Sequence, residues 1–378
     1  MHKNLVADSL SAVIVGNVVA VENLLMFPLL RSGSDLDSHG ARESGSDPDR
    51  GRRRALDYTI LDDALKTGSI EITEVSAQGS VPELLVVNRG PKPVLIIDGE
   101  ELTGAKQNRV VNLTIMVPAV STLTIPVSCV EAGRWRERSK SFAAAPRTQY
   151  ATGRAMRMGQ VTRSIVDRGE RLSDQSAVWA HIAEKSARME ARSATSAMEQ
   201  IFNQHAESLD AYVSGCIPAD GQCGALFAIV DGAGVEGAER RPRIVGFDLF
   251  DSAETFRQLL PKLVRSYAID AIDSNAADVS VRAKRDRRTK VPGSRDAPDA
   301  SYSRGFHLPR PERANASRRQ AEALAHIIPG FLGALATAMQ QRAQAVGMGD
   351  DVRLSAQGLV GAALVVSDDV VHVSGFSV

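Results

Sequence analysis

"VVNLTIMVPAVSTLTIPVSC", Val110 to Cys129, decides the fold. Two runs rich in Val, Ile, Leu and Thr flank Pro118-Ala119-Val120-Ser121. Short β-branched runs separated by turn residues read as strands. Paired around Ala119, they form an antiparallel hairpin with Arg109 opposite Cys129. The segment entering the first strand then lies beside the segment leaving the second.

The entering segment is "DGEELTGAKQNR", Asp98 to Arg109, and the leaving segment is "CVEAGRW", Cys129 to Trp135. An ordinary turn needs Gly and an Asn or Asp, not this density of functional groups. Glu100, Glu101 and Glu131 offer carboxylates for general acid–base work or for a hard cation such as Mg²⁺, the one cofactor these residue types suggest. Lys106, Arg109 and Arg134 offer positive charge, and Arg grips phosphate or carboxylate with two prongs. Gln107 and Asn108 both donate and accept, as recognition of a base or sugar requires. Trp135 presents a ring for stacking. Gly99, Gly104 and Gly133 permit backbone conformations and close approaches that a side chain blocks. Cys129 ends a strand near basic groups, which suits either a nucleophile or a small buried apolar residue. A Cys/His pair would need a distant partner such as His181 or His205. "DDVVH", Asp368 to His372, is a second place to look for a metal. The set as a whole suits a small anionic ligand, such as a phosphorylated nucleotide derivative. The competing reading is that the same charges lock adjoining loops together.

Outward from the hairpin, "PELLVVN" and "PVLIID" are apolar runs of strand length, and "SIEITEV" alternates with Ile70 and Ile72 on one face. "TILDDALKTG" reads as a short helix ending near Gly68, and the N-terminal thirty residues read as early strands. Helices begin at "SDQSAVWAHIAEKSARMEA", with Ser173 as N-cap, and continue through "TSAMEQIFNQHAESLDAYV". "GALFAIVDG" and "PRIVGFDLF" form a strand pair. A helix comes next, capped by Asp251, striped by Phe256, Leu259, Leu260, Leu263 and Tyr267, and interrupted at Pro261. "SRRQAEALAHIIPGFLGALATAMQQRAQAV" reads as helix broken at Pro329-Gly330, before a closing hairpin around Ser367-Asp368-Asp369. The expected class is α+β: an antiparallel β-sandwich or barrel-like core, a helical second half and a C-terminal strand hairpin.

Residues 1–150 form the β-rich region and residues 151–378 the helical and strand region, packed together as one unit. The first carries an insertion near 31–54, rich in Ser, Gly, Asp and Arg, whose composition predicts disorder. The second carries a linker near 275–313 with a basic knot from Arg282 to Lys290.

Lys+Arg and Asp+Glu both number 45 in 378 residues, so the formal net charge is zero. That excludes a global electrostatic role toward duplex nucleic acid. Three Cys make no disulfide framework. The apolar N-terminus is interrupted by Asp8, Asn17, Glu22 and Asn23, so neither a leader nor a membrane span is expected. The expected setting is the cytoplasm. Phosphate-binding, dinucleotide, zincin and nucleophile-elbow signatures are missing from the sequence.

"DGEELTGAKQNR" with "IPVSCVEAGRW" after it resembles a bacterial domain named for its association with ADP-ribosylglycohydrolase and rhodanese-phosphatase proteins. "VGFDLFDSAETFRQLLPKLVRSYAIDA" is similar to the second half of that family. The resemblance covers roughly Val19 to Asp270 and the terminal hairpin. It implies that the polar residues of the two motifs are the family's own, and that ADP-ribose or another NAD-derived nucleotide belongs to the wider system. An enzyme, or an enzyme-associated protein with a real pocket, is one expectation. A non-catalytic β-rich binding or scaffold module with protein partners is the other.

Overall fold

A computed structural model describes residues 4–31, 56–231, 241–289, 324 and 326–378. Most of the insertion expected near 31–54 and the end of the basic knot lie outside them. The described chain is built of antiparallel sheets and helices, closing on strand hairpins. The expected class is the one found.

The decisive hairpin forms only at its open end. β9 (Arg109–Val111) pairs with the end of β11 (Ser121–Cys129), with Arg109 facing Cys129 and Val111 facing Val127. Nearer the turn the two runs part. β10 (Ile115–Val117) leaves to pair with β7 (Val94–Ile96), while the start of β11 pairs with β6 (Glu83–Asn88). Ile115, Met116 and Val117 are wholly buried, so a second sheet covers them more completely than a simple hairpin could. β4 (Thr59–Ile60) joins β7 in parallel and leads into α2 (Leu61–Lys66). β5 (Ile70–Glu74), β8 (Glu100–Gly104) and β12 (Phe142–Thr148) complete a six-stranded sheet of order β12-β8-β9-β11-β6-β5.

The largest sheet joins the two ends of the chain. β1 (Val13–Val15), β2 (Val19–Val21) and β3 (Leu24–Arg31) meet β13 (Gln222–Asp231) and β14 (Arg241–Phe250). β14 then receives β18 (Asp369–Ser377), with β17 (Leu359–Val366), β16 (Asp350–Ala356) and β15 (Met339–Gln344) beyond it. Ser367 and Asp368, both with positive φ, form the tight turn between β17 and β18.

Several elements depart from the sequence expectation. The N-terminus opens with α1 (Leu5–Ser11), not a strand: Asn4 caps it, and Val6 and Leu10, one turn apart, bury together. A helix that the sequence pattern did not suggest, α3 (Ala151–Arg168), precedes the others, because buried Arg154 and Arg157 interrupt its apolar face. α4 (Gln175–Arg188) is capped by Asp174, while Ser173 bonds Ser128. α5 (Glu199–Gln204) and α6 (Ala206–Gly215) come next, as expected. α7 (Ala253–Thr289) takes Ser252, not Asp251, at its N-terminus, since Ser252 Oγ accepts from Thr255 N–H. It runs through Pro261 and past Asn275, where the sequence suggested a linker; Ala, Lys and Arg there are strong helix formers. α8 (Ile328–Ala336) carries Pro329 in its first turn, and "MQQRAQ" after it is the edge strand β15, not helix. Pairing with β16 overrides its local propensity.

Candidate functional site

The two motifs do converge. β8 and β9 form a hairpin, with Leu102 opposite Arg109, and β9 lies against the strand that ends at Cys129. Val130 N–H donates to Asn108 O, Asn108 N–H to a Glu131 carboxylate oxygen and Gln107 Nε2 to Glu131 O. Glu131 and Gly133 are pinned in turn by the segment before α5, through Thr195 and Ala197. A side chain on Gly133 would meet the Thr195 backbone at 2.9 Å, and Gly104 has φ +126°.

One part of the constellation is closed. Glu101, fully buried, accepts from Arg147 of β12, which also lies 3.4 Å from Glu199. Glu100 faces the opposite way and is held by Lys262 of α7. Burial pushes both carboxyls up, against the opposing pull of their cations. Glu131 is bound by Arg134 at 2.7 Å and by Thr195 at 2.8 Å. Burial works against its ionised form, but these hydrogen bonds prevail and its pKa falls below the usual carboxylate value. Arg134 also donates to the carbonyls of Gly104 and Ala105 and to the Asn108 side chain, so it ties the β8–β9 turn shut. The three carboxylates hold three different cations from the chain. Their donor set does not converge on one point, and so does not fit a shared Mg²⁺.

The other part is open. Arg109 is wholly buried and spends Nη1 on Gln107 Oε1 at 2.8 Å. Its Nε and Nη2 have no hydrogen-bond partner among the described residues. Lys106 Nζ and Arg109 Cζ both lie 5.7 Å from the centre of the Trp135 ring, which is half exposed. The Cys129 thiol donates to the same Gln107 oxygen at 3.1 Å. Burial pushes that thiol up, more than the neighbouring Arg109 draws it down, which argues against a ready nucleophile. His181, the distant partner considered for it, bonds Tyr150 instead.

A family model for the ARG and Rhodanese-Phosphatase-superfamily-associated Protein domain, ARPP-1, matches residues 12–304 and takes in both motifs. The chain belongs to this family. No curated protein and no solved structure matches it.

Behind the motifs, the ARPP-1 domain carries an ionic centre that its sequence does not announce. Asp98, the first residue of the polar stretch, meets Arg154 of α3 at 2.9 Å, and the same guanidinium meets Asp248 of β14 at 2.7 Å. Tyr267 and His372 bond Asp248, Ser374 bonds Asp98, and Thr114 bonds the other ring nitrogen of His372. Both ring nitrogens of His372 are thus committed away from the turn that suggested a metal. Burial raises the pKa of each aspartate, but Arg154 overrides it and holds both below the usual carboxylate range. Asp98, Asp248 and His372 lie close enough together to hold a metal ion. Arg154 already stands between the two carboxylates, so the set fits the guanidinium rather than a metal. The one sequence signal was Asp98-Gly99: Gly99 has φ +79°, and a Cβ there would meet the Arg154 side chain at 2.8 Å. The family match ends before β18, yet β18 supplies His372 and Ser374.

Proposed function

We propose that this chain is an enzyme-associated ligand-binding protein that takes a phosphorylated, ring-bearing ligand of the ADP-ribose type at Lys106, Arg109 and Trp135. The observation that carries this reading is Arg109. A buried guanidinium with two unpartnered nitrogens is costly to keep, roughly 1–3 kcal/mol for each donor left unsatisfied. An anion reaching under Trp135 would satisfy both in the forked geometry that Arg favours. Lys106 adds charge, and the exposed Trp135 face offers stacking for a base. Gln107 and Asn108 orient the turn from below, and Glu131 with Arg134 keeps it closed. Glu100 and Glu101 are buried and ion-paired, which favours binding over acid–base catalysis at these residues.

The association recorded in the family's name supports a nucleotide-derived ligand and a place among protein partners. A second reading, a scaffold without a ligand, is favoured by the closed carboxylate pairs. Calorimetry with ADP-ribose, AMP and inorganic phosphate separates the two. Binding of at least one anion, abolished in Arg109→Met and weakened in Trp135→Ala, is expected. No heat with any of the three on the folded protein would leave the scaffold reading.

A further inference from the structure

The six-stranded sheet brings the end of its edge strand β5 back to the β8–β9 turn. Lys106 N–H of that turn donates to Glu74 Oε1 at 3.2 Å. The other carboxylate oxygen, Glu74 Oε2, is buried and has no hydrogen-bond partner among the described residues. Gly79 lies beside it, in a tight turn where its N–H donates to Ser76 O. Its φ of +76° already favours glycine, and a Cβ there would lie 3.2 Å from Glu74 Oε2 and 3.0 Å from Lys106 Cδ. The missing side chain keeps open the space that the orphaned oxygen and the lysine stem share.

Lys106 joins this oxygen to the Trp135 corner. Its backbone bonds Glu74, and its Nζ lies 5.7 Å from the Trp135 ring centre, as does Arg109 Cζ. Glu74 also acts on Arg109, drawing the guanidinium pKa up against its burial. Glu131 is taken by Arg134, so Glu74 stands against Lys106 and Arg109 together. Two cations against one carboxylate leave a single positive charge, which suits one phosphate. A second anionic group would meet Glu74 unfavourably. What meets Glu74 Oε2 must be neutral and must donate, because an ionised carboxylate only accepts. In a nucleotide the sugar lies between phosphate and base. With phosphate on Arg109 and a base on Trp135, the sugar is the part left for Glu74, and its hydroxyls are donors of the required kind. A hydrogen bond to an ionised acceptor is among the stronger ones.

We propose, resting on the reading of Lys106, Arg109 and Trp135 as a ligand site, that Glu74 is its specificity residue and accepts hydrogen bonds from the sugar hydroxyls of a ribonucleotide. The test is calorimetry on the full chain with AMP, inorganic phosphate and dideoxy-AMP, which lacks both ribose hydroxyls. AMP should bind about tenfold more tightly than dideoxy-AMP, the scale of one hydrogen bond to a charged group. Glu74→Gln keeps the shape and an acceptor for Lys106 N–H but places an amide where Oε2 stood. It should bind the two nucleotides equally and bind phosphate at least as tightly as the wild type, since a negative charge has gone. Equal affinities for AMP and dideoxy-AMP in the wild type overturn the assignment of Glu74 while leaving an anion site at Arg109. A preference for AMP that persists in Glu74→Gln overturns it as well. No binding of any of the three removes both this inference and the site on which it rests.

Discussion

Arg109 and Glu101 come from one twelve-residue stretch and have opposite energetics. Glu101 is buried against Arg147, so removing either partner strands a charge in the interior. Glu101→Ala should lower stability by about 3–5 kcal/mol. Arg109 has no such carboxylate partner, and burial lowers its pKa more than Cys129 and Glu74 raise it. Arg109→Met keeps the packed stem and removes the desolvated charge. It should leave stability unchanged or raise it by about 1 kcal/mol. Urea midpoints at neutral pH compare the two directly. A loss in Arg109→Met as large as in Glu101→Ala would make the guanidinium structural and remove the main support for a ligand there.

Among the elements, the turn between β7 and β8 matters most. Gly99 N–H reaches back to Val111 O, while Gln149 N–H donates to Gly99 O. The positive φ and the contact with Arg154 leave no room for a side chain. Gly99→Ala should therefore lose more than about 1–2 kcal/mol, the size of backbone strain alone, because Arg154 must shift as well. Thermal unfolding beside Gly68→Ala makes the comparison, since Gly68 also has positive φ but a Cβ there meets nothing within 4 Å. Equal losses would mean that Arg154 accommodates the methyl group freely. At this scale the sequence was a good guide wherever one face of an element is apolar. Val178 and Ile182 of α4, Phe256, Leu263 and Tyr267 of α7, and the alternation of β5 are all buried as their spacing suggests. It was a poor guide for α3, whose inward face carries two arginines, and for β15, an exposed edge strand.

For the whole molecule, the buried charges set the response to pH. Asp98, Asp248 and Glu131 have folded pKa values below their ordinary ones. Their contribution is complete above the unfolded carboxylate pKa, about 4, and is lost as pH falls through the folded values. Asp251 behaves oppositely. Burial raises it to about 6, against the hydrogen bond from Tyr58. The folded state then holds a proton that the unfolded chain has released, so stability falls as pH rises between about 4 and 6. Asp251→Asn keeps an acceptor for Tyr58 and should remove that part of the decline, on the order of 2 kcal/mol. Urea midpoints at pH 4, 5 and 7 for both proteins measure it; parallel curves would show that Asp251 does not titrate in this window. No described helix is long and apolar enough to cross a membrane.

The sequence by itself determined the local story: the strand and helix stripes, the register that sets Arg109 opposite Cys129, and the meeting of two polar motifs. These come from side-chain periodicity and turn chemistry, which act over a few residues. Only the tertiary structure decided which charges are closed and which are open. Lys262 lies 162 residues from Glu100, and Asp248 lies 94 from Arg154. Nothing in a short window tells a carboxylate which distant cation will neutralise it. That pairing is settled by sheet order and helix packing, and it left Arg109, like the equally buried Arg157 of α3, with two nitrogens unbonded among the described residues.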